Sequence, residues 1–312
     1  MKIAIIGAGA MGSLFGGLLC KSGNEVWFID VWQEHVNAIR KRGLKMCGEG
    51  GDFIVTPRAT TQAREAGRVD LIVLFVKGFH TESAMQNVLD LIDEKTLVLT
   101  LQNGLGNVEI IKNFILREQI LFGMTTLTSD LMGPGEIFMS FAGEGETSIQ
   151  PAGERWDEAN TVAEVFNKAA LHTVVAENVK QHIWEKLVVN CNYNTYCALL
   201  GLSVGQLVNC PASRSLLETT TLEISAVASA AGFDLPYERA WKHLMEVGEE
   251  ARAHYPSMVM DIRNQRQTEI DFLNGAVARE GKRYGVPTPV NETAVSLIKI
   301  LESTYHHRSA SK

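Results

Sequence analysis

The sequence predicts an α/β fold, in which an N-terminal Rossmann-type, doubly wound sheet is followed by an all-helical C-terminal domain. In the first half, short apolar runs typical of buried parallel strands alternate with helical stretches. From about residue 155 these runs stop, except at 173–175, and long helical stretches follow. We therefore predict a dinucleotide-binding Rossmann domain over residues 1–170 and a helical domain over residues 171–312.

The strands of the first half are identified by uninterrupted apolar runs. They are predicted at 3–6, 25–30, 70–77, 96–101 and 120–126, with helices at 11–22 and 34–41. Residues 130–150 are rich in Gly and Glu and alternate polar with apolar residues, which indicates the closing, antiparallel strands of the sheet. In the second half, helices are predicted at 178–200, 213–231, 236–250 and 257–284.

Composition excludes several classes of protein. The 312 residues are 46% hydrophobic and 21% charged, which is typical of a globular chain and not of a disordered or fibrous one. A net charge of −7 indicates no basic groove, so we expect no nucleic-acid partner. No apolar run reaches the length of a transmembrane helix, and we expect no membrane association. The uncharged stretch 3–20 contains five glycines, which disfavours a targeting helix.

Cysteine and histidine spacing argues against a metal or disulfide framework. The five cysteines include no CxxC pair, and the eight histidines show no HExxH or other metal spacing. We therefore expect free thiols in a reducing compartment, a cytoplasmic location and no metal.

A glycine-rich loop follows the first predicted strand. It fits G-x-G-x-x-G and opens a helix, the context in which this motif binds the pyrophosphate of a dinucleotide. The first glycine makes the turn, the second lets a phosphate approach the backbone, and the third allows close helix–strand packing. The alternative is a glycine-rich turn without a ligand. The predicted cofactor-binding residues here are Gly7, Ala8, Gly9, Ala10, Met11 and Gly12.

Asp30 ends the second strand, 18 residues after Gly12. A carboxylate there accepts hydrogen bonds from the ribose hydroxyls of NAD and repels a 2′-phosphate, so we favour NAD(H) over NADP(H). The cations at 40–42 could reach a phosphate or form the solvated end of a helix. Lys77 and Asn103 close two further strands and are expected to face the nicotinamide and the substrate. The alternative for Lys77 is a solvated strand end.

The predicted helix at 178–200 carries a polar stripe. Lys186, Asn190 and Asn194 are spaced i, i+4, i+8, which drifts only about 80° around an α-helix. Their neighbours are apolar, and a lysine and two amides on a buried helix are costly unless they have partners. The stripe indicates a substrate site, a solvated face or a hydrogen-bond ladder between helices.

The sequence resembles the ketopantoate reductase (2-dehydropantoate 2-reductase) family, whose helical domain is similar to that of 6-phosphogluconate dehydrogenases. The resemblance spans nearly the whole chain. The segments that carry it are Gly7–Gly12, Val76–Lys77, Gln102–Gly106, Lys186–Asn194, Tyr255–Asp261 and Thr268–Gly275.

The resemblance implies reduction of a small 2-oxo acid, with residues 171–312 as the substrate and catalytic domain. It implies that Lys186 is the general acid and that Glu269 organises this lysine and the substrate hydroxyl. It also implies substrate-binding roles for Asn190, Asn194 and Ser257. Lys77 and Asn103 match family residues that lie near the cofactor and the substrate. Lys77 is therefore predicted to bind the cofactor, and Asn103 to bind both the cofactor and the substrate.

One departure bears on the cofactor and the substrate. Many relatives carry an arginine shortly after the second strand for the NADP 2′-phosphate, whereas this chain reads Asp30-Val-Trp-Gln. The alternatives are an NAD-dependent D-2-hydroxyacid dehydrogenase for branched or aromatic 2-oxo acids, and a non-catalytic nucleotide sensor. The stripe at Lys186 argues against the sensor. The oligomeric state stays open, since the helix at 213–231 suits packing inside one chain or within a homodimer.

Overall fold

The computed structural model describes residues 1–140 and 145–305, which form two compact units. The first unit contains 1–102 and 107–179, and the second contains 103–106 and, of the described residues, 180–305. Each is built around its own apolar core.

The strands of the described residues all lie in the first unit. In chain order they are β1 (Lys2–Ile6), β2 (Glu25–Ile29), β3 (Leu44–Gly48), β4 (Phe53–Val55), β5 (Arg58–Thr60), β6 (Leu71–Leu74), β7 (Leu97–Thr100), β8 (Ile120–Thr125), β9 (Ser129–Gly133), β10 (Glu136–Met139), β11 (Thr147–Pro151) and β12 (Thr173–Val175).

In the described part of the chain, the main sheet has eight strands in the order β12-β11-β8-β7-β6-β1-β2-β5. All neighbours in it are parallel except β8 and β11. Both faces are covered, because side chains alternate along a strand. Ile3 and Ile5 of β1 pack into one apolar cluster, and Ala4 and Ile6 pack into another. The predicted Rossmann-type sheet is confirmed. Its apolar runs form the central strands, which are buried on both faces of the sheet.

A second sheet, in the order β4-β3-β10-β9, was not predicted. The interpretation of 130–150 as closing strands of the main sheet was therefore wrong for β9 and β10, which form an antiparallel pair in this second sheet. Of the strands described within 130–150, β11 joins the main sheet, where it pairs antiparallel with β8, and residues 141–144 lie outside the described ranges. The strands of the second sheet are short, and its outer face carries the ion pair Lys45–Glu136, so no apolar run marks it.

The helices separate into those that cover the sheets and those of the second unit. The first group is α1 (Ala10–Lys21), α2 (Gln33–Arg42), α3 (Thr81–Val88), α4 (Asn107–Ile111) and α5 (Trp156–Lys168). The second group is α6 (Val179–Val189), α7 (Thr195–Leu200), α8 (Val204–Val208), α9 (Arg214–Ala230), α10 (Tyr237–Glu250), α11 (Ser257–Arg263), α12 (Asn274–Tyr284) and α13 (Pro289–Ser303).

Two predicted helices of the second unit are interrupted. The stretch predicted as one helix at 178–200 contains a π-helical turn at Asn190–Asn194, here called the π segment, between α6 and α7. The helix predicted at 257–284 ends at Arg263, because Gln265 has a φ of +54° and the chain cannot continue as an α-helix there. A 3-10 turn at Ile270–Phe272 then leads into α12. Among the described residues, no helix is long and apolar enough to cross a membrane.

Candidate functional site

The glycine-rich loop joins β1 to α1 and depends on glycine at two positions. Gly7 has a φ of +90°, and a Cβ there would lie 2.8 Å from the backbone nitrogen of Val76. A Cβ at Gly12 would overlap the carbonyl oxygen of Gly7. At Gly9 an added Cβ would meet no atom within 4 Å, so the backbone is open to a ligand on that side. The first N–H groups of α1 lack intrahelical partners, which suits an anion.

Asp30 is bonded to this loop. Its carboxylate accepts hydrogen bonds from the backbone N–H of Ala8 at 2.5 Å and from that of Trp32 at 2.8 Å. Because a carboxylate has about four acceptor positions, these two bonds leave capacity for ribose hydroxyls. Asp30 therefore fixes the loop. Its remaining acceptor positions are compatible with the predicted hydrogen bonds from ribose hydroxyls, and that role stays a prediction.

Sequence reasoning missed a buried chain of hydrogen bonds behind the loop. The Nδ1 atom of His35 accepts from the backbone N–H of Gly135 at 3.1 Å, and its Nε2 atom lies 3.3 Å from the Ser13 hydroxyl. Ser13 donates to the carbonyl oxygen of Ala8 at 2.7 Å. Burial lowers the pKa of His35, and the charge of Asp30 opposes this shift. A neutral imidazole with its proton on Nε2 satisfies both contacts.

Two of the three cations considered for a 2′-phosphate, Arg40 and Arg42, have other partners. The guanidinium of Arg40 donates to the carbonyl of Ala59 at 2.5 Å and pairs with Glu65 at 2.9 Å. That of Arg42 donates to the carbonyl of Pro134 at 2.6 Å. The stretch shortly after β2, where many relatives are expected to carry an arginine, reads Asp30-Val-Trp-Gln, and its Val31 is 91% exposed.

The side chain of Gln102, for which the sequence predicted no role, links the segments that follow β6 and β7 by hydrogen bonds. The Gln102 side chain donates to the carbonyl of Val76 at 2.7 Å and to the Thr81 hydroxyl at 2.9 Å. Lys77 lies three residues beyond the end of β6, before a 3-10 turn at Gly78–His80. The expectation that Lys77 closes the strand was therefore wrong, and the residue lies in the loop that follows β6.

Asn103 lies in a loop that belongs to the second unit. Gly104 has a φ of +80°, and a Cβ there would overlap the carbonyl oxygen of Phe272. The N–H of Leu105 donates to that same carbonyl at 3.0 Å. The loop is thus held against the turn that follows Glu269, which places Asn103 in the same unit as the predicted catalytic residues.

Lys186 and Glu269 interact within the second unit. Lys186 lies in the last turn of α6 and is partly buried, while Glu269 is buried at the start of the 3-10 turn Ile270–Phe272. Burial lowers the pKa of Lys186 to about 8, and the charge of Glu269 opposes this shift. A lysine with this pKa is a cation at neutral pH that releases its proton readily.

The π segment carries the two predicted amides. Asn190 is buried and Asn194 is partly buried at its two ends. A π turn closes i→i+5 hydrogen bonds, so each residue rotates the chain about the helix axis through a smaller angle than in an α turn. It therefore counteracts the drift of the stripe that begins at Lys186. Ser257 is the exposed first residue of α11, which packs against the π segment. Among the described residues, no three metal-binding side chains are grouped for a metal ion.

Comparison with known proteins identifies the family that shares this arrangement. Residues 3–154 match a family model described as "Ketopantoate reductase PanE/ApbA", and residues 178–302 match its "C terminal" counterpart. A 2-dehydropantoate 2-reductase of Streptococcus pyogenes is 35% identical over 307 residues, which covers 97% of this chain and 98% of the relative.

Two solved structures are similar over almost the full length. A ternary complex of D-mandelate dehydrogenase with NADH and anilino(oxo)acetate has a TM-score of 0.92 at 35% identity, covering 97% of this chain and 99% of that one. A ketopantoate reductase of Ralstonia eutropha has a TM-score of 0.90 at 30% identity, with coverages of 97% and 99%. The family that the sequence predicted is confirmed.

Proposed function

We propose, from the premise that the chain belongs to the ketopantoate reductase family, that it reduces 2-dehydropantoate to (R)-pantoate in pantothenate and coenzyme A biosynthesis. The chain is an oxidoreductase that acts on a CH–OH group with NAD or NADP. The observation that carries the proposal is the partly buried Lys186, whose pKa is lowered to about 8 and which interacts with Glu269.

The proposed chemistry places proton donation on Lys186. When bound, the reduced dinucleotide supplies a hydride to C2 of the 2-oxo acid. The Lys186 ammonium donates a proton to the carbonyl oxygen as negative charge develops there, and the neutral amine then regains a proton from solvent. The carboxylate of Glu269 favours the cationic form of Lys186 that starts the cycle.

The remaining polar residues are assigned to binding. The amides of Asn103, Asn190 and Asn194 and the hydroxyl of Ser257 supply hydrogen-bond donors for the substrate carboxylate and hydroxyl. The glycine-rich loop and the N-terminus of α1 hold the pyrophosphate, and Lys77 lies near the nicotinamide. We propose that the dinucleotide is held by the first unit and the 2-oxo acid by the second.

NADH is the proposed cofactor. The carboxylate of Asp30 repels a 2′-phosphate and keeps acceptor capacity for the ribose. Val31 offers no charge at the next position, and Arg40 is engaged by Glu65. The D-mandelate dehydrogenase that resembles this chain was solved with NADH, which supports the same choice.

A second candidate is a D-2-hydroxyacid dehydrogenase for branched or aromatic acids. It is favoured by the similarity to D-mandelate dehydrogenase, whose complex contains the aromatic 2-oxo acid analogue anilino(oxo)acetate. The same Lys186, Asn190 and Asn194 would serve both reactions, so these residues do not discriminate between them.

Initial rates separate the two candidates. Oxidation of NADH and of NADPH is followed with ketopantoate, 2-oxoisocaproate and phenylglyoxylate in parallel. We expect the largest kcat/KM with ketopantoate and NADH. A larger value with either of the other acids supports the second candidate, and no turnover of any 2-oxo acid contradicts both.

A further inference from the structure

The π segment breaks an otherwise continuous helix at the place where the proposed substrate amides lie. π turns are rare, and they persist where surrounding contacts stabilise them. Inside it, Asn192 donates its side-chain amide to the carbonyl of Val188 at 2.9 Å and to the Thr221 hydroxyl at 3.2 Å. The first of these bonds lies within the helix, and the second reaches α9.

A second asparagine, outside the helix, contacts the segment from α12. Asn274 is fully buried, and its Nδ2 atom donates to the backbone carbonyl of Cys191 at 3.2 Å. Its Oδ1 atom accepts from the hydroxyl of Thr195, the first residue of α7, at 2.6 Å. One side chain thus bonds to the interior of the π segment and to the residue that follows it.

The position of Asn274 is itself fixed by a buried network. Its Nδ2 atom also donates to Oδ1 of Asn291 at 3.0 Å. The side-chain amide of Asn291 donates in turn to the buried carboxylate of Glu223 at 2.7 Å. Glu223 further accepts the backbone N–H groups of Val290 and Asn291 at the start of α13. A network satisfied in this way holds the Asn274 amide in one orientation.

We propose that Asn274 is a positioning residue, which holds the chain from Asn190 to Asn194 in its π turn and thereby aligns these two amides with Lys186. The proposal rests on the proposed function for the roles of the aligned residues. Without the π turn, the stripe would drift by about 80° as on a regular α-helix. Asn274 touches no reacting atom and acts through the backbone of the π segment.

The primary test is Asn274→Asp, which keeps the shape and the acceptor for Thr195 but removes the amide donor to Cys191 and to Asn291. A milder test is Thr195→Val, which removes one bond to the Asn274 side chain. The matched control is Thr221→Val, an equally buried Thr→Val change that removes a bond to Asn192. Crystal structures of the three variants report the conformation of the π segment, independently of activity.

We expect Asn274→Asp to lose the π turn and to raise KM for the 2-oxo acid about tenfold, since hydrogen bonds from the aligned amides are lost. The dissociation constant of NADH should stay within about twofold, because the loop that binds it is in the first unit. Thr195→Val should show the same changes more weakly, and Thr221→Val should show neither. In an Asn190→Ala, Asn194→Ala background, Asn274→Asp should add no further rise in KM.

An intact π turn with unchanged KM in Asn274→Asp overturns the proposal, as does an equal effect of Thr195→Val and Thr221→Val. If Asn274→Asp does not fold, the two threonine variants decide. A purely structural role would lower the melting temperature without moving KM at temperatures well below melting. If wild type reduces no 2-oxo acid, the proposed function fails, and the crystal structures still decide whether Asn274 holds the π turn.

Discussion

The carboxylate of Glu269 is the charged group that opposes the effect of burial on the Lys186 ammonium. Burial alone favours a neutral amine, and the neighbouring carboxylate favours the cation, so the balance leaves a pKa of about 8. This balance suits a proton donor at neutral pH, because the group is charged before the reaction and gives up its proton at low cost.

Lys186→Met should abolish the reductase activity and remove the rise in stability that wild type gains between about pH 8 and 10. An unfolded lysine has a pKa of about 10.4, so below pH 8 the folded protein carries the full cost of the buried cation. That cost falls as pH rises from about 8 toward 10, because the folded protein releases the proton first. Melting temperatures measured from pH 6 to 10 should therefore show this rise in wild type and not in the variant. Parallel profiles of the two proteins between pH 8 and 10 contradict the lowered pKa of Lys186.

Glu269→Gln should move the alkaline limb of the pH–rate profile to lower pH. The change removes the charge that raises the pKa of Lys186 and leaves the burial that lowers it. In wild type, kcat for reduction should fall as pH rises through about 8, and in the variant the fall should begin earlier. Glu246→Gln, at a carboxylate of α10 that pairs with Lys242, is the control and should leave the limb in place. If the alkaline limb does not move in Glu269→Gln, the charge of Glu269 does not raise the pKa of Lys186.

Asp30→Ala should weaken NADH binding and relax discrimination against NADPH. Both effects follow from the loss of a carboxylate that bonds the glycine-rich loop and repels a 2′-phosphate. Val31→Arg adds a cation at the exposed neighbour without touching the loop and should improve NADPH binding alone. Dissociation constants from fluorescence titration check both variants. A wild type that already prefers NADPH contradicts the cofactor proposal.

His35 should make the first unit sensitive to acid. Its pKa is lowered in the folded protein, so between the usual value near 6.5 and the folded value only the unfolded chain binds the proton. Stability should therefore fall as pH drops below about 6.5, when protonation of Nδ1 would end its bond from Gly135. His35→Gln should flatten this part of the profile, measured as melting temperature against pH. Equal slopes in both proteins would show that other groups carry the acid sensitivity.

The main sheet could be predicted because its central strands are uninterrupted apolar runs buried on both faces. The second sheet could not, because its strands have three to five residues and charged residues such as Lys45 and Glu136 interrupt their apolar residues. The helices α8 and α13 were missed, although each carries a start signal. These signals are the Ser203–Gln206 capping box and Pro289 in the first turn.

The charged part of the candidate site could be predicted, and the residues that support it could not. Lys186 and Glu269 stand out by type and by family motif. His35, Gln102 and Asn274 act through tertiary contacts and leave no periodic signal in the sequence. The π turn depends on Asn274, 80 or more residues further along the chain, so a local reading gives an uninterrupted α-helix.

The most direct test of the proposed role of Lys186 is to compare kcat of wild type and Lys186→Ala with ketopantoate and NADH. We expect kcat to fall by about 10² or more through loss of the general acid. The dissociation constant of NADH should be nearly unchanged, because Lys186 lies outside the glycine-rich loop. An unchanged kcat would remove Lys186 from the proposed chemistry and contradict the account.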